Sequence, residues 1–163
     1  MSVLPNQEKE QSQEALQEVV KALHQGLGND LVAVVLFGSR ARGEATEASD
    51  WDLLVIARHL PSTPLQRHFQ LKMLLPVEWR GQVALLSRTP AEFEPHLSSL
   101  MLDIALDGIV LYDPEGYAAQ RLTALQRLIT TRGLHREQVG RDFVWKWERF
   151  PGFNWSLEWK EVL

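Results

Sequence analysis

A chain of 163 residues, 45% hydrophobic and 23% charged, is long enough for one domain with a proper core and has no bias towards disorder or a fibrous repeat. Its formal net charge of −4 argues against sequence-independent binding to DNA or RNA, which needs a basic face, so a nucleic acid is not an expected partner. The absence of cysteine excludes disulfides, thiolate nucleophiles and zinc–thiolate sites, and the five histidines show no metal-binding spacing such as HExxH.

The N-terminal segment MSVLPNQEKEQSQEALQ is polar and acidic, the reverse of a signal peptide or transit peptide. No apolar run approaches the roughly 20 residues that a membrane-spanning helix needs. These two features predict a cytoplasmic protein that does not engage a membrane.

Apolar runs and breakers predict alternating helices and strands in the first half of the chain. Apolar residues at three-and-four spacing predict a helix over 7–27, which the glycines at 26 and 28 end. The short, continuous and β-branched runs LVAVVLF (31–37) and WDLLVIA (51–57) predict two buried strands. Between them, residues 38–43 are expected to form a turn and one or two helical turns.

The second half of the chain continues the alternation. Its predicted elements are a helix over 65–75 that Pro76 stops, a strand over 82–87, a helix from Thr89-Pro90 through Leu106, a short strand over 108–113, and helices near 115–130 and 134–149. Strands separated by helical stretches indicate an α/β or α+β fold, with a mixed β-sheet of about four strands flanked by helices. We expect a single domain over 1–163, with its core at about 10–130 and a helical, aromatic-rich C-terminal segment at about 131–163.

Gly38 and Ser39 stand where the first predicted strand ends. A glycine there lets the backbone approach a ligand closely, since no Cβ intrudes. Ser39 is a good N-cap for the short helix that follows, and free amides at a helix N-terminus favour an anion such as phosphate. A plain strand-to-helix turn is the alternative for an isolated Gly-Ser pair.

Two acids at the start of the second predicted strand favour the ligand-binding interpretation of Gly38-Ser39 over a plain turn. Residues i and i+2 of a strand point to the same face, so the Asp50 and Asp52 carboxylates would project side by side. Like charges this close raise one pKa unless a cation sits between them, and Mg²⁺ suits one or two carboxylates together with substrate phosphates. Combined with Gly-Ser, the pair describes a nucleotide triphosphate site.

The stretch GSRARGEATEASDWDLLV resembles the signature of the polymerase-β-type nucleotidyltransferases, in which Gly-Ser, ten intervening residues and Asp-x-Asp follow one another. The signature also resembles that of the small members, the minimal nucleotidyltransferases of bacteria and archaea, in having Ala41-Arg42-Gly43 and Ser49. The later elements, which end in DIALDGIVLYD, are similar to theirs as well. The resemblance covers about residues 10–130. It implies a polymerase-β-like fold. It also implies transfer of a nucleoside monophosphate from a nucleotide triphosphate, with ATP as the expected one, to an acceptor hydroxyl, with pyrophosphate as the leaving group.

The resemblance also implies roles for individual residues. Asp50 and Asp52 would hold Mg²⁺, two ions in the usual arrangement of such sites, in which metals clamp the attacking and leaving oxygens. Gly38 and Ser39 would bind the triphosphate. All four lie inside the quoted signature.

Three further residues of the signature are candidates for nucleotide binding. Arg40 and Arg42 are suited to bidentate phosphate contact, with a solvated basic turn as an equal alternative for each. Ser49 would either contact a phosphate or cap the turn, and capping is the favoured interpretation.

The third carboxylate is where this sequence departs from the family. Relatives usually supply it from a neighbouring strand, yet the predicted strand QVALLS contains no acid. Glu78, four residues before Gln82, is the candidate, and it could serve only if that strand begins earlier than predicted. Otherwise Glu78 is a surface acid, and nucleotide binding would survive while transfer is slow or lost.

Two classes of molecule, a protein and a small molecule, are candidates for the acceptor of the nucleoside monophosphate. Some minimal nucleotidyltransferases resemble antitoxins that adenylylate a HEPN-type toxin, whereas relatives acting on small molecules such as aminoglycosides usually carry a larger second domain. A chain of 163 residues has little room for that domain, which favours a partner protein. The alternative function is a catalytically weak or inactive, antitoxin-like module that binds nucleotide or a partner. Self-association into a homo-oligomer is left open.

Two other patterns carry expectations. Asp103 and Asp107, at i and i+4 of a predicted helix, are expected to form a solvent-facing stripe. The stretch over 142–163 holds four of the six tryptophans and three phenylalanines, which would cover the protein's own core or, as the less favoured alternative, form a partner interface.

Overall fold

The computed structural model describes residues 7, 10, 13–94 and 97–153. Its helices and strands, in chain order, are α1 (Gln17–Leu27), β1 (Leu31–Phe37), α2 (Gly38–Arg42), β2 (Trp51–Ala57), α3 (Pro64–Leu74), β3 (Val83–Arg88), α4 (Pro90–Phe93), α5 (Ser99–Asp107), β4 (Ile109–Tyr112), α6 (Tyr117–Thr131), β5 (Leu134–Val139) and β6 (Asp142–Trp147). Single 3₁₀ turns at Gly28–Asp30 and Val77–Trp79 precede β1 and β3.

Four strands form a mixed sheet in the order β3-β2-β1-β4. The central strand β1 is antiparallel to both β2 and β4, and β2 is parallel to β3. Helices flank this sheet, so the predicted α+β fold with a four-stranded mixed sheet is confirmed. The predicted bounds of β1 and β2 match the observed strands residue for residue.

Both faces of the sheet are buried, which explains why β1 and β2 are continuous apolar runs. Val35, Leu54 and Ile56 belong to one core cluster, together with buried residues of α5 and α6. Val34 and Leu53 point to the opposite cluster, which includes residues of α1 and α3. A strand covered on both sides has no need to alternate apolar and polar residues.

The helix predicted from Thr89-Pro90 through Leu106 is two helices in the structure. Thr89 begins α4 with a capping box: its side chain accepts from the Glu92 amide, and the Glu92 side chain accepts from the Thr89 amide. Ser98 begins α5 by accepting from the Met101 amide at 3.4 Å. Each cap marks a new helix start, and the second one was missed.

The prediction of a helix near 134–149 is wrong, because β5 and β6 form an antiparallel hairpin there. Its two-residue turn has Gly140 at φ 65°, a left-handed conformation that glycine adopts without strain. Along β6 the partly buried and exposed residues alternate, with Phe143, Trp145 and Trp147 facing inwards. Both tryptophans pack against the α5–α6 core cluster, so this part of the aromatic segment covers the protein's own core. The other two tryptophans, Trp155 and Trp159, lie outside the described residues.

Candidate active site

One edge of the sheet brings together most of the predicted site residues. Phe37, the last residue of β1, pairs with Asp52 near the start of β2. The parallel strand β3 begins at the same edge, since Val83 pairs with Trp51. Strand β4 also begins there, because Ile109 pairs with Leu36. We call this the catalytic edge: the end of β1 with α2, and the starts of β2, β3 and β4.

Gly38 and Asp52 are in direct contact at this edge, although 14 positions separate them in the sequence. A Cβ on Gly38 would lie 2.3 Å from Oδ2 of Asp52, closer than any side chain can approach. Gly38 also has φ +75°, a left-handed conformation that other residues rarely adopt. Glycine is therefore required here twice, once for its backbone conformation and once for the space that the Asp52 carboxylate occupies.

Ser39 lies inside the first turn of α2 and is not its N-cap, which corrects the sequence-based expectation. The N-cap is Phe37, and no side chain caps the helix. The Ser39 carbonyl accepts from the Glu44 amide at 2.9 Å, so the backbone folds back sharply after α2. The serine hydroxyl makes no hydrogen bond to any described residue, which leaves it available to a ligand.

Asp50 and Asp52 provide the negative charge of the catalytic edge. Asp50 is exposed and immediately precedes β2, whereas Asp52 lies within the strand and is half-buried. Burial and the neighbouring Asp50 carboxylate raise the pKa of Asp52, and the Arg42 guanidinium opposes them. The Asp50 charge therefore acts on Asp52, although Asp50 precedes β2 and does not share its strand, and no described residue donates a hydrogen bond to either carboxylate.

Arg40 is committed to holding the loop that leads to the aspartates. Its Nε and Nη2 donate to the Ser49 carbonyl at 3.1 and 2.8 Å, and its guanidinium carbon lies 4.2 Å from the centre of the Trp51 ring. The Ser49 hydroxyl accepts from the Thr46 amide at 2.9 Å, which caps the turn as the favoured interpretation stated. Arg40 and Ser49 together fix the chain just before Asp50.

Arg42, at the last position of α2, keeps more of its hydrogen-bonding capacity than Arg40. Its Nε donates to Glu44 at 2.8 Å, and its Nη1 lies 3.6 Å from Oδ2 of Asp107. The guanidinium carbon lies 4.8 Å from the centre of the Phe143 ring in β6. Among the described residues, Arg42 donates a side-chain hydrogen bond through Nε, whereas Nη1 and Nη2 donate none.

Glu78 is exposed on the 3₁₀ turn Val77–Trp79 and is not part of β3. Strand β3 begins at Val83, later than Glu78 would need in order to reach the catalytic edge from a strand. The β3 residue directly beside Asp52 is Ala84. Across the described ranges, no group of three or more His, Asp or Glu side chains is placed to hold a metal ion.

Lys72 of α3 was not singled out from the sequence, yet it lies close to the catalytic edge. Its Nζ donates to the carbonyls of Arg80 and Val83, where β3 begins. Burial lowers the Lys72 pKa, while the charge of Asp50 opposes that shift. A lysine among apolar neighbours in a short helix gives no local signal of such a position, because its partners come from the next turn and strand.

The expectation that Asp103 and Asp107 form a solvent-facing stripe is wrong. Arg136 of β5 binds both of them, with its Nη1 3.0 Å from Asp103 and 2.6 Å from Asp107. The indole Nε1 of Trp145 also donates to Asp103, at 3.0 Å. These acids attach the hairpin to α5.

Comparison with known proteins agrees with this geometry. Residues 14–101 match the family model described as a nucleotidyltransferase domain.

The chain belongs to the nucleotidyltransferase family. A Methanocaldococcus jannaschii relative named "Putative protein adenylyltransferase MJ1305" is 34% identical over 121 residues, which cover 70% of this chain and 80% of that protein. The family membership confirms the resemblance that the Gly-Ser and Asp-x-Asp signature carried.

Among solved structures, the chain is similar to a "putative nucleotidyltransferase" from Sulfolobus solfataricus, with 19% identity, a TM-score of 0.49, and coverage of 71% of this chain and 92% of that chain. A toxin–antitoxin complex with AMP-PNP gives 19% identity, a TM-score of 0.48, and coverage of 70% of this chain and 90% of that chain.

Within the part of the chain that the structure describes, no helix is both long and apolar enough to cross a membrane.

Proposed function

We propose that this nucleotidyltransferase moves a nucleoside monophosphate from ATP to a hydroxyl group on a partner protein, with Mg²⁺ as cofactor. The observation that carries the proposal is the contact between Gly38 and the Asp52 carboxylate, with Asp50 beside it. This contact leaves a backbone free of side-chain bulk beside an acid of the Asp-x-Asp pair. A cytoplasmic location, where nucleoside triphosphates are supplied, goes with this proposal.

The two aspartates are suited to a divalent cation. They are hard oxygen ligands, they repel one another, and no described residue satisfies them by hydrogen bonding. Burial and then the repulsion from Asp50 raise the Asp52 pKa, and an ion held by the two acids would oppose both effects. When bound, Mg²⁺ supplies charge stabilisation for the phosphates and for the leaving pyrophosphate.

The neighbouring residues would bind and orient the triphosphate. Gly38 admits phosphate oxygens to its backbone because it has no Cβ, and the Ser39 hydroxyl is free to donate to them. Arg42 has unused N–H groups for a charge-assisted contact. Arg40 contributes indirectly, since it holds the loop before Asp50 in place.

The partner protein is the finer part of the proposal. It rests on the M. jannaschii relative, which is named "Putative protein adenylyltransferase MJ1305". A HEPN-type toxin is the acceptor that the sequence resemblance implies. A small-molecule acceptor is the outcome that would correct this part alone.

A second candidate function follows from Ala84. This small apolar residue lies beside Asp52 at a position from which an acid on β3 would share the Asp52 face. With two carboxylates in place and Glu78 exposed on a turn, the protein would bind nucleotide and transfer it slowly or not at all. It would then act as an antitoxin-like binding module.

Calorimetry of Mg²⁺·ATP binding tests the shared part of both functions. We expect wild type to bind only with Mg²⁺ present and the Asp50→Asn/Asp52→Asn double variant to lose at least about tenfold in affinity, since two charge-bearing ligands are removed. Glu47→Gln, which neutralises an exposed acid in the neighbouring loop, is the matched control and should bind normally. Wild type that binds none of ATP, GTP, CTP and UTP would contradict both functions.

Transfer from α-labelled ATP separates the enzyme from the binding module. Label on an acceptor protein, lost in the double variant, supports the enzyme. Binding without label on any acceptor supports the module. Glu78→Gln should leave transfer unchanged if two carboxylates are sufficient, whereas loss of transfer with intact ATP binding would assign the third carboxylate to Glu78.

A further inference from the structure

We propose that the β5–β6 hairpin forms part of the nucleotide site, because Phe143 and Asp107 hold the Arg42 guanidinium at the catalytic edge in an orientation that can receive a triphosphate. Phe143 and Asp107 are positioning residues in this proposal, and Arg42 is the residue that contacts the ligand. The inference rests on the proposed function. It extends the site to the hairpin, which lies outside the family match at residues 14–101.

Arg42 is located by its contacts with three residues. It is the last residue of α2, whose first residue is Gly38, so one short helix links it to the glycine that contacts Asp52. Glu44 accepts from Nε at 2.8 Å, Asp107 lies 3.6 Å from Nη1, and the Phe143 ring centre lies 4.8 Å from the guanidinium carbon. A cation within about 6 Å of an aromatic ring centre is attracted to the ring.

Phe143 is itself held firmly. The Arg136 guanidinium carbon lies 4.3 Å from the same ring, so two arginines contact one phenylalanine. Arg136 donates to Asp107 through Nη1 and Nη2, at 2.6 and 2.9 Å, which attaches the hairpin to the end of α5. Helix α5 ends at Asp107, and after the single residue Gly108 the strand β4 begins at the catalytic edge. The hairpin is thereby joined to the site through α5 as well as through Arg42.

The way these contacts are shared argues for a ligand-binding role of Arg42. Asp107 already accepts two short hydrogen bonds from Arg136, so Arg42 receives only a longer ionic contact from it. The ring attracts the guanidinium without using any of its N–H groups. Arg42 is therefore oriented while its terminal nitrogens stay available, unlike Arg40, whose Nη2 is bound to the Ser49 carbonyl. Planar, unsatisfied N–H groups are what bidentate phosphate recognition needs.

Substitutions of Phe143 test the positioning role. Phe143→Leu keeps apolar volume and removes the ring, and we expect Mg²⁺·ATP affinity to fall about three- to fivefold, the equivalent of a partly exposed cation–π contact. Phe143→Tyr retains the ring and should restore the affinity. Val144→Ala, the next residue of β6 and exposed on its opposite side, is the control that should leave affinity unchanged. Equal affinity of Phe143→Leu and wild type would overturn the proposal.

A double-variant cycle separates positioning from general destabilisation. Arg42→Gln alone should weaken Mg²⁺·ATP binding about tenfold, as expected for losing a charged hydrogen bond to phosphate. In that background Phe143→Leu should have no further effect, since Phe143 acts only through Arg42. An undiminished effect of Phe143→Leu in the Arg42→Gln background would show that the hairpin acts on the site by another route and would overturn the proposal.

A nucleotide-free measurement distinguishes this proposal from the proposed function. The Arg42 Nε–H resonance in an NMR spectrum should carry a ring-current shift that Phe143→Leu removes and Phe143→Tyr keeps. An Arg42 resonance that does not respond to Phe143→Leu overturns the positioning role even where ATP binds. Wild type that binds no nucleotide overturns the proposed function, whatever the resonance does.

Discussion

Two arginine–carboxylate networks in this protein use the same chemistry for different ends. Arg67 of α3 binds Glu92 of α4 through two hydrogen bonds of 2.7 Å, and its Nε donates to the Pro61 carbonyl. Arg136 of β5 binds Asp103 and Asp107 of α5 in a comparable way. Each network joins two elements that are distant in sequence.

The difference lies in what else each network touches. The remaining capacity of Glu92 goes to the Thr89 amide, which begins α4, so the Arg67 network serves the backbone around it. The Arg136 network touches Phe143 and, through Asp107, a second arginine at the catalytic edge. An ion pair whose groups are all satisfied locally stabilises the fold. One that leaves a neighbouring cation oriented but unsatisfied also prepares a binding site.

Arg136→Met should give the largest effect and should affect both stability and binding. It removes the hydrogen-bonded cation of Asp103 and Asp107, whose side chains are only 27% and 12% exposed, and leaves Asp107 only the longer contact with Arg42, so we expect a loss of about 3 kcal/mol in the free energy of unfolding. ATP affinity should fall as well, because Phe143 loses its support. Urea unfolding and calorimetry at a temperature where the variant is folded measure the two effects. A loss of stability with unchanged affinity would make this network purely structural, like that of Arg67.

Gly38→Ala tests the catalytic edge without touching either network. The added Cβ would collide with the Asp52 carboxylate, and the alanine backbone would be held in a left-handed conformation. We therefore expect the free energy of unfolding to fall by about 2 kcal/mol and Mg²⁺·ATP binding to be lost. Gly81→Ala is the matched control, because nothing lies within 4 Å of the added atom and its backbone is not left-handed. If both variants bind ATP normally, the contact between Gly38 and Asp52 is not part of the site.

Arg67→Met should destabilise the protein and leave nucleotide affinity unchanged. Arg67 is 9% exposed, but the Glu92 side chain is 40% exposed and can be hydrated when its partner is lost, so we expect about 1.5 kcal/mol. The same urea and calorimetry measurements apply. A fall in ATP affinity that matches that of Arg136→Met would remove the distinction between the two networks.

The strands of the sheet and the hairpin differ in how well local sequence patterns predict them. Strands β1 and β2 were predicted to the residue, because each is a continuous apolar run with polar or turn residues at its ends. The hairpin was mistaken for a helix, although Phe143, Trp145 and Trp147 alternate with other residues and Gly140 offers a turn. Arg, Glu and Gln around the hairpin favour a helix, and period-two alternation over only six residues did not outweigh them.

The site was predictable in its residue types and less so in its contacts. Gly38, Asp50 and Asp52 follow from the signature, whereas the contact of Gly38 with Asp52 depends on β1 and β2 being antiparallel neighbours. The role of Arg40 in holding the Ser49 carbonyl was not foreseen, because a backbone acceptor leaves no trace in the sequence. The binding of Arg136 to Asp107, 29 positions away, is a tertiary contact that no local pattern encodes.

The smallest effect expected is a pH dependence of stability that comes from Glu92 of the Arg67 network. Hydrogen bonds from Arg67 and from the Thr89 amide lower the pKa of Glu92 from 4.5 to about 2. A depressed carboxyl pKa contributes stability that is fully present above 4.5 and is lost as the pH falls towards 2. Because Glu92 is partly exposed, we expect that contribution to be about 1 kcal/mol. Urea unfolding across this window should show a shallower acid loss in Glu92→Gln than in wild type, and identical slopes would mean that Arg67 and Glu92 contribute no net pairing energy.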